Sequence, residues 1–165
     1  MAQPFQPMQP VPVPVADGPA PGVRFAKPVP RLIGYVIDGF IAGVASIAVM
    51  FVFGTIAGIA GAAGMNFIAS LGIVISILAV FAVMLLYSPY FWVKREGQTP
   101  GMKVMHIRVV RDEDGGPIGW GSAIMRLIGY WISGAVFYIG YVWILVDKRK
   151  RGWFDLMAGT CVVEV

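Results

Sequence analysis

Charged and polar positions in this chain are gathered into a few short stretches, and between them the sequence is almost continuously apolar. Residues 39–93 contain no charged side chain in 55 consecutive positions, and residues 127–146 contain none in 20. A helix crosses the hydrocarbon of a bilayer with about 20 apolar residues, so the first stretch holds two crossings and the second at most one. The first helix is expected to start near Pro30 or Arg31, since proline suits the first helical position, and to run to about Ile59. Gly58, Gly61 and Gly64, mixed with Ala60, Ala62 and Ala63, make a weak turn ending near Asn66. A second helix follows over residues 67–93. It contains Pro89, and Tyr87, Tyr90, Phe91 and Trp92 gather at its basic end in the manner of an interfacial aromatic belt.

Beyond Lys94 the pattern changes. Residues 97–101 read as a loop. Val104, His106, Arg108 and Val110 then alternate with Met105, Ile107 and Val109, the period of a strand. Asp112, Glu113, Asp114, Gly115, Gly116 and Pro117 form an acidic turn. Residues 160–165 are the other β-prone run, and the two strands are expected to pair antiparallel at the membrane surface.

The third apolar segment, residues 123–146, is long enough to cross once. That would place the basic cluster Lys148, Arg149, Lys150 and Arg151 on the far side, across the bilayer from the strand partner. Ser122, Arg126, Gly129 or Tyr130, and Ser133 make a polar stripe along one helix face, which suits a helix lying in the interface or inside a bundle. A turn at Gly134 would leave residues 135–146 as a half-length segment that enters and returns, with both flanks on the cytoplasmic side. A plain third span is the alternative.

Composition narrows the class. Apolar side chains make up 58% of the 165 residues and charged ones 13%, against about 25% charged in an average soluble domain. The net charge of +4 does not point to nucleic acid, because Arg24, Lys27, Arg31, Lys94, Arg95 and the run at 148–151 flank apolar segments. Positive flanks of this kind stay cytoplasmic, so the expected location is the plasma membrane, multi-pass, with the N-terminus inside. No secretory signal is read, and the first helix is expected to remain as an uncleaved anchor. The expected fold is an all-α membrane protein with two transmembrane helices, a third interfacial, re-entrant or spanning segment, and a small cytoplasmic two-stranded β element. Residues 1–29, with Pro7, Pro10, Pro12, Pro14, Pro19 and Pro21, are expected to be a disordered proline-rich tail, which could alternatively dock a protein partner. Residues 30–165 form the membrane domain.

Candidate chemistry is sparse. Asp38 lies about two turns into the first helix, where a carboxylate costs on the order of 2.5 kcal/mol or more at the bilayer centre and needs a cation, a wet cavity or a proton. Arg31 is on nearly the same face but ~10 Å away along the axis, which leaves Arg126 as the expected partner of Asp38. That pair either locks helix register or belongs to a path along which Asp38 binds a cation or proton. Gly39 with Gly43 and Gly54 with Gly58 permit close helix contact. His106 is alone, the acidic turn lacks calcium-loop spacing, no phosphate loop occurs, and Cys161 has neither a disulfide partner nor a motif histidine. No metal, cofactor or enzymatic activity is expected.

The motif Arg31-Leu-Ile-Gly-Tyr-Val-Ile-Asp38 resembles the RDD family of bacterial membrane proteins. So do Gly97-Gln-Thr-Pro-Gly-Met-Lys103, followed by Ile107-Arg-Val-Val and the turn at 114–117, and Asp155-Leu-Met-Ala-Gly-Thr160. The resemblance covers nearly all of residues 31–165 and places the family's named Arg and two Asp on Arg31, Asp38 and Asp155. Pro100 stands where the family has an apolar residue. The resemblance implies a role in the transport of unidentified ligands and supplies no mechanism. Asp155 is expected to cap a helical turn or to pair with Arg31. Two functions stay open: a small transporter, formed by several copies because two or three helices enclose little volume, and a membrane-embedded scaffold or accessory subunit.

Overall fold

The computed structural model describes residues 18–20 and 22–165. Most of the proline-rich tail expected over residues 1–29 therefore lies outside the described residues. Its last part does not: Ala26 N–H donates to the Val162 carbonyl, and Glu164 N–H to that of Arg24.

Two long helices form a hairpin, α1 (Pro28–Ala62) and α2 (Asn66–Lys94). Prolines occupy the first turn of α1, where their missing N–H groups cost nothing. The linking residues 63–65 turn at Gly64, whose φ of +76° favours glycine. Close contact between the helices falls at Gly72, where a Cβ would lie 3.1 Å from that of Ala57. Among the described residues nothing lies within 4 Å of a Cβ built at Gly39, Gly43, Gly54 or Gly58, so these small-residue pairs do not form the seam of the hairpin. Away from the hairpin seam both helices display large apolar side chains, such as Phe40, Phe51 and Phe67.

A compact cap gathers at the end of the hairpin formed by the start of α1 and the end of α2. It begins with α3 (Pro100–Val104), where a loop was expected. Thr99 is its N-cap, accepting from the Met102 amide, and Pro100 sits at the first helical position. Strand β1 (Ile107–Arg111) follows; the expected start at Val104 is too early, because Val104 closes α3. His106 precedes the strand with a left-handed φ of 53°, so it is not the strand residue expected. Then come α4 (Trp120–Ala135), α5 (Ile139–Val146), α6 (Trp153–Ala158) and β2 (Thr160–Glu164). The strands pair antiparallel, as expected, with Val109 opposite Val162. The cap core is built from Trp92, Met102, Ile107, Val109, Ala123 and Val162, joined by Ala26.

The third apolar segment is not one straight helix. α4 and α5 meet at 103°, and the break falls at residues 136–138 rather than at Gly134, with Phe137 and Tyr138 left-handed. The polar stripe of α4 faces inward, and Arg126 and Ser133 are fully buried. Both flanks of this bent pair are tied to the same cap, the first through Arg126 to Thr160 and the second through Arg149 and Arg151 to Asp112. Among the described residues two helices are long and apolar enough to cross a membrane, or three if the bent pair counts as one span.

Candidate functional site

The charged residues singled out in the sequence separate into two centres. In the first, Asp155 is the third residue of α6 and its carboxylate accepts the Gly152 N–H at 3.0 Å, capping the helix. The same carboxylate binds two arginines. Arg31 Nη1 donates to Oδ2 at 3.0 Å, and Arg126 Nη1 donates to Oδ1. Capping and pairing with Arg31, weighed as alternatives, occur together. Arg31 Nη2 also reaches the Val162 carbonyl at 3.2 Å, and Arg126 reaches Thr160 Oγ1 at 2.5 Å. One charge bundle thus ties α1, α4, α6 and β2 at their point of convergence.

Arg31, Arg126 and Asp155 are all at most 1% exposed. Burying ions this deeply requires close pairing, because the desolvation cost is several kcal/mol per ion. Two guanidiniums against one carboxylate leave an excess positive charge, and aromatic rings beside Arg126 offset part of the cost of burying it. The Arg126 Cζ lies 4.7 Å from the Trp92 centroid and 5.6 Å from that of Phe154, geometry in which a ring face attracts a cation. Gly129 permits this convergence: a Cβ there would come within 2.5 Å of the Phe154 backbone.

The second centre is Asp38, and Arg126 is not its partner. Its Oδ1 accepts from the Gly101 N–H at 2.8 Å and the Tyr87 hydroxyl at 3.1 Å, and its Oδ2 accepts from the Thr99 hydroxyl at 2.5 Å. The expected ion pair fails because α3 packs across α1 at this level and presents its own donors first. Gly101 allows that approach, since a Cβ would meet the Gly34 carbonyl oxygen at 2.2 Å and Asp38 Cγ at 2.9 Å. All three donors are neutral, and no cationic side chain among the described residues bonds Asp38.

Asp38 lines a cavity of about 300 Å³ between α1, α2, α3, α4 and α5. Its wall also includes Tyr35, Tyr87, Trp92, Tyr130 and Tyr141. The Tyr35 and Tyr130 hydroxyls share a hydrogen bond of 2.9 Å, and Arg126 Nη2 donates to that of Tyr130 at 3.2 Å. These two tyrosines therefore separate the cavity from the charge bundle and touch both. Tyr130 was read on the polar stripe of α4, but Tyr35, Tyr87 and Thr99 were not read as site residues. The one available signal was the place of Tyr35, between Arg31 and Asp38 on the inward face of α1.

The remaining candidates are structural. Asp112 is not a solvated turn residue: it accepts from Arg149 at 3.1 Å and Arg151 at 2.8 Å. The Cys161 thiol is pushed up to about 12 by burial, with Asp112 and Asp155 adding to the effect, so it is a poor nucleophile. No group of three or more His, Cys, Asp or Glu side chains that could hold a metal occurs among the described residues.

Comparison with known proteins places the sequence among relatives. The chain is 29% identical over 143 residues to the uncharacterized protein YxaI of Bacillus subtilis (strain 168), a match covering 81% of this chain and 93% of that one. It is 28% identical over 67 residues to the proline-rich antigen homolog of Mycobacterium tuberculosis (strain ATCC 25618 / H37Rv), covering 40% of this chain and 28% of that protein. No solved structure matches. The sequence model of the RDD family matches residues 25–159, a span that holds both carboxylate centres, and the chain belongs to that family.

Proposed function

We propose that this chain is a multi-pass membrane protein that moves a small ligand or ion, with the cavity beside Asp38 as the binding site. The observation that carries the reading is a buried carboxylate held by neutral donors alone at the wall of a cavity between apolar helices. An intramembrane carboxylate kept in such a place marks a ligand or ion path by default. The cap end carries Arg24, Lys27, Lys94, Arg95 and Lys148, so this end faces the cytoplasm, the N-terminus included, and the membrane is the plasma membrane. The bent α4–α5 pair then dips into the bilayer and returns, its break at residues 136–138 exposed at the tip, where the Val136 and Tyr138 carbonyls accept from the Ile139 and Tyr141 amides. Several copies would be needed to close a path across the bilayer. No catalytic step and no nucleic acid enters this reading.

Proteoliposomes holding the full chain test it under imposed gradients of sodium, protons or tetramethylammonium. A flux of one of these that falls at least ~10-fold in a folded Asp38→Asn variant is expected, a loss equivalent to about 1.4 kcal/mol or more. Rates equal to those of protein-free vesicles for all three would sink transport by this chain alone. The accessory or scaffold role would then stand, favoured by the rigid Arg31–Asp155–Arg126 lock and by the main-chain pairing of Arg24 and Ala26 with β2. In that role the proline-rich tail would serve a protein partner.

A further inference from the structure

Six of the fourteen residues around the Asp38 cavity are aromatic, Trp131 completing the set already named, and Asp38 is the one carboxylate among them. We propose that this cavity recognises a monovalent organic ammonium ion, an inference that rests on the binding-site reading above. The electron-rich face of a tryptophan or tyrosine attracts a cation with a soft, apolar periphery, and rings around one carboxylate are the usual means of holding alkylated ammonium groups. Trp92 already serves a cation in this way, in the Arg126 guanidinium.

An inorganic cation fits less well. Calcium and magnesium, for example, take six or more oxygen ligands. Here the Tyr87 and Thr99 hydroxyls donate to Asp38, and those of Tyr35 and Tyr130 are bonded to each other. A volume of about 300 Å³ is at the small end for ligand pockets, which limits the ligand to a compact amine or quaternary ammonium. Arg126 lies behind Trp92 and Tyr130 rather than in the cavity wall, held by Asp155 and Thr160. Its charge disfavours a dication more than a monocation.

The test uses the full chain in a maltoside detergent, with tetramethylammonium as probe and its neutral counterpart neopentane, and sodium as control cation. Binding is read from tryptophan fluorescence, since Trp92 and Trp131 both line the cavity, and from calorimetry. Saturable tetramethylammonium binding, weakened at least ~10-fold in Asp38→Asn, is expected. Trp131→Leu, at a ring 58% exposed and so tolerant of change, is expected to weaken it about 3-fold. It keeps the question answerable if Asp38→Asn does not fold. Neopentane binding as tightly, or tetramethylammonium binding that ignores Trp131→Leu, would overturn the assignment. Sodium binding that depends on Asp38 while tetramethylammonium does not bind would overturn it too, yet leave the site reading intact. A chain that binds neither probe, with vesicle flux indifferent to Asp38→Asn, would remove both.

Discussion

Asp155 and Asp38 are both buried aspartates on helices, and their surroundings divide them. Asp155 spends its oxygens on two guanidiniums and a helix-capping amide, at the junction of four elements, and is itself fully buried. Asp38 takes one amide and two hydroxyls, and looks onto a cavity of about 300 Å³. Burial alone does not tell a structural charge from a working one. Countercharge is what differs: Asp155 is matched by arginines, whereas Asp38 is held by neutral dipoles, and the proposed ligand site rests on that difference.

The comparison is broken most directly at Asp155. Asp155→Asn leaves Arg31 and Arg126 facing each other in a dry core, and a cost of about 3–5 kcal/mol is expected. Asp38→Asn removes charge from a set of neutral donors, and about 1–2 kcal/mol is expected. Thermal unfolding of the two variants in detergent checks this; equal losses would erase the distinction. A double-mutant cycle then asks whether Arg31 and Asp155 act as a unit. Arg31→Met combined with Asp155→Asn should fall short of the summed single losses by about 1–3 kcal/mol. Simple additivity would show that Arg126 alone balances the carboxylate.

How far these centres could be read from the sequence differs in the same way. Asp38 and Arg126 were visible because a charge in an apolar run is conspicuous, Arg31 as a basic flank, and Asp155 through the family motif. The Arg31–Asp155 contact was among the roles expected for Asp155, but the partner of Arg126 was not legible, since depth and sign favoured Asp38. The amide that displaces the arginine belongs to Gly101, 63 residues from Asp38. Reading Thr99 as an N-cap and Pro100 as a first helical residue would have disclosed α3, but the flanking Gly97 and Gly101 gave those residues the look of a loop. Tyr35 and Tyr87 were hidden because aromatics in membrane helices are equally expected at lipid. The hairpin, the antiparallel strands and the bent third segment were legible from period, length and charge placement.

Gly101 sharpens the contrast from the Asp38 side. A methyl group there collides with the Gly34 carbonyl and with Asp38 itself, and Gly101→Ala is expected to cost about 1–3 kcal/mol. Gly39, one residue from Asp38 but in open space, is the control. Gly39→Ala should leave stability unchanged or raise it by a few tenths of a kcal/mol. Unfolding temperatures measured side by side separate the two. Equal values would mean that α3 is free to move off α1, and that the donors to Asp38 are not fixed.

The smallest effect comes from a carboxylate that repeats the Asp155 arrangement at the surface. Asp147, just past the end of α5, accepts from the Arg149 and Arg151 amides and from Arg151 Nε. Partial burial pushes its carboxyl upward, but the Arg151 and Arg149 donors outweigh it and hold the group below its ordinary 3.8. A carboxylate lowered by folding stabilises the chain above its unfolded value, and that contribution fades as pH falls through the folded one. Wild type should therefore exceed Asp147→Asn by no more than about 0.5 kcal/mol near neutrality. The gap should close as the buffer is taken below 3.8. Unfolding temperatures of the pair across that range measure it. A gap that persisted in acid would assign the loss to the amide bonds rather than to charge, and the same two arginine-bound aspartates would then differ in mechanism as well as in depth.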